Sequence, residues 1–387
     1  MMKFALTAPC LFGIESVLKK EIADLGYEIL SVDDGRVVYA GDAAAIPRSN
    51  LHLRTAERVL LNVGSFEAKT FEELFEKTKA LPWEDFIPKD GKFWVKKASS
   101  IKSKLFSPSD IQSVMKKAVV ERLKKKHKTD WFPETGASYP IRVFIKKDQV
   151  SVGLDTSGEA LHKRGYRTNT GIAPLRETLA AGIVLLSGWN KDRLFVDPFC
   201  GSGTLPIEAA MIAARMAPGL NREFLSETWT NLLERKAWMQ AVDEANDLLD
   251  LEVQAQIQGF DKDYRMIRFA RENAENADVA NLIHFQERPV KELASSRKYG
   301  IIVTNPPYGE RLEELQEVYG LYKELGKVCA QLDSWSVNVI TSVEDFERHF
   351  GRQADKKRKL YNGMIKTTLY RYEGPKPPKG GQGYGHA

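Results

Sequence analysis

Two short apolar runs constrain this 387-residue chain most, because each ends in a loop too specialised to be a plain turn. Leu194-Phe195-Val196 leads into Asp197-Pro198-Phe199-Cys200-Gly201-Ser202-Gly203-Thr204, with a helical pattern from about Leu205. Ile301-Ile302-Val303 leads into Asn305-Pro306-Pro307-Tyr308. Short continuous apolar runs read as strands buried on both faces, as in parallel sheets covered by helices. Further runs at 256–260, 283–286 and 337–341 alternate with helical stretches, which predicts an α/β domain with a doubly wound sheet. Runs at 357–361 and 365–372, separated by Asn362 and Gly363, read as a closing hairpin.

Ahead of a Gly/Arg/Asn/Thr-rich connector, 158–171, two α+β patterns are legible. The first has strands at 4–8 and 37–39 around a helix at 14–25. The second has helices at 70–79 and 109–126 and strands at 93–98, 141–146 and 149–154. The length fits two or three domains. The longest largely apolar stretch, 179–189, is too short for a bilayer crossing, which takes about 20 residues. Glu15 interrupts the apolar amino terminus and no small-residue cleavage pattern follows, so that segment is expected to be folded structure in a cytoplasmic protein. Cys10, Cys200 and Cys329 are scattered and odd in number, and the six histidines form no metal-binding spacing. No disulfide framework and no metal are expected.

The formal net charge of +5 is unevenly spread: residues 89–130 hold 13 Lys/Arg and 4 Asp/Glu, a net of +9. Within them Lys92, Lys96, Lys97, Lys102 and Lys104 interleave with Phe93, Trp94 and Phe106. A solvated helix face explains any one lysine run, but the aromatic interleaving points to nucleic acid. The Pro/Gly-rich residues 374–387 show no apolar periodicity and are expected to be a disordered tail.

A strand, a glycine turn and a helix amino terminus make a ligand cradle. The loop at 197–204 lacks the lysine of a phosphate-binding P-loop, and Pro206 stands where the dinucleotide fingerprint needs its third glycine. The next strand-end acid, Asp261, lies 261 − 201 = 60 positions beyond Gly201. S-adenosyl-L-methionine suits these pieces better: its amino-acid end for the glycine loop and Asp197, its ribose hydroxyls for Asp261. The second loop suits methylation of an exocyclic amine, whose lone pair is delocalised into a base ring. The Asn305 side-chain oxygen and the Pro306 carbonyl can accept both N–H groups and aim the lone pair, the prolines stiffen the loop, and Tyr308 can stack on an everted base. Cys200 as a nucleophile is the sharper alternative to a small packing residue; its distance in sequence from the Pro-Pro pair favours packing.

With both loops in hand, the chain resembles the THUMP-domain class I RNA methyltransferases of the RlmL/YpsC group. Ala8-Pro9-Cys10 with Gly13-Ile14-Glu15, Thr70-Phe71-Glu72-Glu73-Leu74, Arg164-Gly165-Tyr166-Arg167 and Leu175-Arg176-Glu177-Thr178 carry the likeness beside the two loops. The resemblance implies a ferredoxin-like unit (1–60), a THUMP RNA-binding domain (61–157) and a Rossmann-like seven-stranded methyltransferase domain (158–373). It also implies that Glu177 and Thr178 lie near the cofactor, that Asp197, Phe199, Gly201, Ser202, Gly203 and Thr204 hold its methionine part, and that Asn305, Pro306, Pro307 and Tyr308 hold the target base. An acid after the third strand often contacts adenine in this family. Pro289 occupies that position here, which leaves the contact unassigned, with Gln286 and Glu287 as the neighbouring candidates. The implied activity is methyl transfer to guanosine N2 in 23S rRNA or a large-subunit assembly intermediate. The alternatives are tRNA guanine-N2 methylation, N6-adenine methylation of DNA, and a non-catalytic RNA-binding assembly factor.

Overall fold

The computed structural model describes residues 3–168, 175–309 and 312–378. Part of the expected connector, residues 310–311 beside the second loop, and the tail from 379 lie outside the described residues. Gly374, where that tail was expected to start, donates its N–H to the Ser336 hydroxyl at 3.1 Å.

The amino-terminal half runs β1 (Phe4–Pro9), α1 (Glu15–Asp24), β2 (Glu28–Asp33), β3 (Arg36–Gly41), α2 (Ala45–His52), β4 (Leu60–Glu67), α3 (Phe71–Ala80), β5 (Lys92–Ile101), α4 (Pro108–His127), β6 (Ser138–Lys146) and β7 (Gln149–Asp155). The two α+β patterns share one seven-stranded sheet, ordered β2-β3-β1-β4-β7-β6-β5. The joint is narrow: β1 meets β4 only at Leu6–Leu61 and Thr7–Leu60, with the Thr7 hydroxyl donating to Asn62 Oδ1 at 2.8 Å. β4 escapes the sequence pattern because Asn62 and Gly64 break its apolar alternation. β2 escapes because, on the sheet edge, it is mostly exposed. In α2, Pro47 falls in the first turn, where a missing N–H costs no helical bond.

The second half runs α5 (Glu177–Ser187), β8 (Phe195–Asp197), α6 (Thr204–Ala213), α7 (Arg235–Leu248), β9 (Ile257–Asp261), α8 (Tyr264–Asn276), β10 (Ile283–Glu287), β11 (Ile301–Thr304), α9 (Leu312–Gln331), β12 (Ser336–Thr341), α10 (Phe346–Phe350), β13 (Lys356–Asn362) and β14 (Ile365–Tyr372). Its sheet is ordered β10-β9-β8-β11-β12-β14-β13. The first five strands are parallel, and β14 runs antiparallel to both its neighbours. Chain order reverses between β8 and β11, so their carboxyl ends stand side by side at the switch point where open α/β sheets bind ligands. The closing hairpin turns at Gly363 and Met364, not at Asn362-Gly363: Asn362 pairs with Ile365 and stays in β13.

The long gap between α6 and β9 is an excursion that fastens the two sheets together. Trp229, 0% exposed, stacks on Tyr139 of β6 at 4.9 Å and donates its indole N–H to the Ser138 carbonyl at 2.9 Å. The Arg48 guanidinium of α2 binds both Glu244 oxygens of α7, at 2.7 and 2.8 Å. Phe224, Trp229 and Trp238 thereby belong to the first sheet's core. No helix among the described residues is long and apolar enough to cross a membrane, and none of their His, Cys, Asp and Glu clusters could hold a metal ion.

Candidate active site

The tips of β8, β9 and β11 open into one cavity of about 940 Å³. Asp197, Phe199, Gly201, Ser202, Thr204, Asp261, Asn305, Pro306, Pro307 and Tyr308 all line it, so two loops separated by about a hundred residues of chain form one site. Pro289, Val290 and Lys291 form a further wall.

The glycine loop is held from behind and open in front. Cys200 donates its N–H to the Phe260 carbonyl at 2.9 Å, and the Asn273 side chain donates to the Ser202 carbonyl at 3.0 Å. Gly201 and Gly203 adopt φ of +51° and +88°, a left-handed conformation that penalises any residue with a Cβ. A Cβ at Gly201 would meet nothing within 4 Å, which leaves the backbone open to a ligand. Asp261 does more than wait for a ribose: its Oδ2 accepts the Gly201 N–H at 3.0 Å and its Oδ1 the Asp263 N–H at 3.0 Å. It ties β9 to the loop. Cys200 is buried, and burial pushes its thiol well above the ordinary range, which leaves no thiolate for attack.

Asp197 is 1% exposed, and burial pushes its carboxyl up to about 7, partly offset by two donors. The Thr304 hydroxyl donates to Oδ1 at 2.6 Å and the Phe199 N–H to the same oxygen at 3.1 Å. Thr304 ends β11 and immediately precedes Asn305, so this one bond couples the two loops. Sequence reasoning missed it because the partners lie 107 positions apart.

In the second loop the Tyr308 hydroxyl donates to Asn305 Oδ1 at 2.6 Å, occupying the very acceptor assigned to a target amine. Burial raises the Tyr308 phenol, and the Asn362 side chain pulls it back. From α9, the buried Tyr322 hydroxyl donates to the Pro307 carbonyl at 2.8 Å and fixes the loop's course. Neither Tyr322 nor Asn362 carries a local sequence signal for this role.

Several expected site residues lie elsewhere. Glu177 and Thr178 do not line the cavity: Glu177 is buried 3.3 Å from the Arg167 guanidinium, and Thr178 donates to Glu57 at 2.5 Å. Glu177 acts on the loop from outside, since Arg167 also donates to the Thr204 hydroxyl at 2.8 Å. Gln286 and Glu287 also stay out of the cavity, and Gln286 instead accepts from Arg288 at 3.0 Å. Lys92, Lys96, Lys97, Lys102 and Lys104 are exposed along or just beyond the edge strand β5. Lys96 is partly committed within the protein, donating to the Gly158 carbonyl at 3.2 Å with Asp155 at 4.0 Å.

Three family models match this chain: the RlmL ferredoxin-like domain over residues 5–60, the THUMP domain over 68–155 and the RMKL-like methyltransferase domain over 164–371. A protein of Bacillus subtilis (strain 168), named as the RNA methyltransferase YpsC, is 50% identical over 374 residues, 96% of each chain. The chain belongs to the RlmL/YpsC group of RMKL-like methyltransferases. Its Rossmann-like methyltransferase sheet is thus preceded by ferredoxin-like and THUMP domains that merge into a single sheet. The ribosomal RNA large subunit methyltransferase K/L of Syntrophotalea carbinolica is 34% identical over 96% of this chain, which spans only 53% of that larger protein. A solved structure named as a methyltransferase complexed with SAH is 42% identical and superposes with a TM-score of 0.91, covering 98% of this chain and 100% of that one.

Proposed function

We propose that this RlmL/YpsC-group protein transfers a methyl group from S-adenosyl-L-methionine to the N2 amine of a guanosine in 23S rRNA. The observation that carries the reading is the single cavity shared by the glycine loop and the Asn-Pro-Pro-Tyr loop. The RNA part draws on the THUMP match, on the YpsC relative's name and on the large-subunit rRNA named for the K/L relative.

The residues present fit the cofactor. The open Gly201 backbone admits an amino-acid end, and the acids at the tips of β8 and β9 suit a ligand that carries positive charge and ribose hydroxyls. The flat apolar wall of Pro289 and Val290 suits a purine face. When bound, S-adenosyl-L-methionine supplies a methyl group on a sulfonium. Asp197 and Asp261 orient it, and the chain does the rest through the acceptor. Asn305 Oδ1 takes one N–H of the target amine and the Pro306 carbonyl the other, drawing the nitrogen towards pyramidal geometry. For this the Tyr308 hydroxyl leaves Asn305, exchanging one hydrogen bond for another at a net cost of about 1 kcal/mol, and its ring turns to the base. The amine proton leaves after transfer, so no strong base is required.

Mass spectrometry of rRNA from a deletion strain tests this. Loss of one N2-methylguanosine is expected, and survival of all of them rejects the assignment. Purified protein incubated with extracted rRNA, tRNA and duplex DNA separates the ribosomal reading from tRNA guanine-N2 and DNA adenine-N6 methylation. An inert assembly factor would methylate none of the three.

A further inference from the structure

An aromatic pair beside the strand end that carries the cavity-lining Asn362 goes unused in the catalytic reading. Phe12, between β1 and α1, is 42% exposed, and its ring meets Tyr361 of β13 edge to face at 5.9 Å and 81°. Tyr361 directly precedes Asn362, which lines the cavity with its hairpin partner Ile365. The Lys359 ammonium sits 5.4 Å from the Tyr361 ring and makes no ion pair among the described residues, whereas Lys357 and Lys366 on the same hairpin pair with Glu347 and Glu344. Beyond the pair, Met364 at the hairpin tip is 97% exposed.

Two domains build this edge, and they hold it firmly. Arg358 donates to the Gly13 carbonyl at 2.8 Å and to the Ser16 hydroxyl at 3.2 Å. Gly13 lies so close to β13 that a Cβ there would collide with the Lys359 carbonyl, and Ile14 is buried in the core of the second domain. Phe12 therefore stays half out of water at a fixed place.

We infer that Phe12 and Tyr361 form a ledge on which an unpaired nucleotide next to the target base stacks, with Lys359 on its phosphate. The inference rests on the RNA reading above. Everting a base unstacks its neighbours, and an aromatic surface nearby restores the lost stacking. The free cation beside the ring favours a nucleic-acid strand over an apolar protein segment.

Phe12→Leu and Tyr361→Leu keep apolar volume and remove the rings, Phe12→Tyr and Tyr361→Phe keep them, and Lys359→Ala removes the charge. Each is assayed for methyl transfer to deproteinised 23S rRNA from a strain lacking the enzyme, with SAH affinity measured by calorimetry. The leucine variants are expected to raise the KM for RNA about 10-fold or more, with SAH affinity unchanged and the tyrosine and phenylalanine variants near wild type. Lys359→Ala is expected to lower the slope of log affinity against log salt by about one. An unchanged KM for RNA, or a matching loss of SAH affinity, overturns the ledge and leaves the pair a domain clamp. Failure of the wild type to methylate any RNA sinks the ledge and the functional reading together. Active wild type with equally active leucine variants sinks the ledge alone.

Discussion

The molecule contains two seven-stranded sheets that use their strands in opposite ways. In the second sheet, five parallel strands point their carboxyl ends the same way, and the order reversal between β8 and β11 gathers the chemistry into one cavity. The first sheet is mostly antiparallel, with only β5 and β6 parallel, so it has no common end at which to gather anything. Its polar groups are spread along an edge strand instead, where lysines also blunt edge-to-edge pairing. A parallel sheet makes a point, and an antiparallel one makes a surface. Substitutions at the point should therefore be severe and specific, and those on the surface shallow and cumulative.

The sharpest test is Asn305→Ala. Turnover on RNA is expected to fall by about 100-fold or more, on the scale of one positioned polar group, while SAH affinity measured by calorimetry changes little. A fall in SAH affinity of equal size would mean that Asn305 serves the donor side.

Thr304→Val comes next, since it removes a donor from a buried carboxylate and slackens the bond between the two loops. About a 10-fold loss in kcat/KM is expected, with a drop in stability of about 1–3 kcal/mol by thermal denaturation. Combined with Asp197→Asn, the effects should be strongly non-additive, because the two residues share one bond.

The pH dependence of Asp197 is of comparable size. Its folded pKa, about 7, lies above its ordinary value of 3.8, so the fold favours the protonated acid. The resulting stabilisation is complete below the unfolded pKa and is lost as pH rises through about 7. The ligand-free protein should thus lose stability relative to Asp197→Asn between about pH 4 and pH 7 and level off above that. A cationic donor prefers the carboxylate, so S-adenosyl-L-methionine affinity should rise about tenfold from about pH 6 to pH 8, with proton release visible by calorimetry in two buffers. A flat profile would take Asp197 out of the donor's reach.

The surface should respond least to any one change. Replacing Lys96, Lys97 and Lys102 together by alanine is expected to weaken RNA binding about fivefold at physiological salt and to reduce the salt slope by about one per lysine lost. Lys96 should contribute least, because Gly158 and Asp155 already engage it. An unaltered slope would show that the β5 edge does not grip RNA.

The same contrast explains what was legible in the sequence. The two central strands, β8 and β11, stood out as uninterrupted apolar runs, and both loops could be read because Asp197 to Thr204 and Asn305 to Tyr308 are each contiguous. What escaped was held at a distance. Thr304 looks like any strand residue until Asp197 is placed beside it, Tyr322 like any helical aromatic until it meets the Pro307 carbonyl, and Asn362 like a turn residue until its pairing with Ile365 keeps it in the strand. Glu177 and Thr178 were assigned to the cofactor by resemblance, yet their polar atoms are taken by Arg167 and Glu57. In the first sheet the union of two units depends on β4, whose Asn62 and Gly64 erase the alternation that would have revealed it.

The excursion carrying Trp229 and Glu244 bears on how such proteins can be recombined. A cut at the connector would strip Phe224, Trp229 and Trp238 of their cover and bare the sheet face on which they lie. Swapping in a different THUMP module therefore means transplanting this inserted stretch along with it, so the two halves are inherited as a single unit.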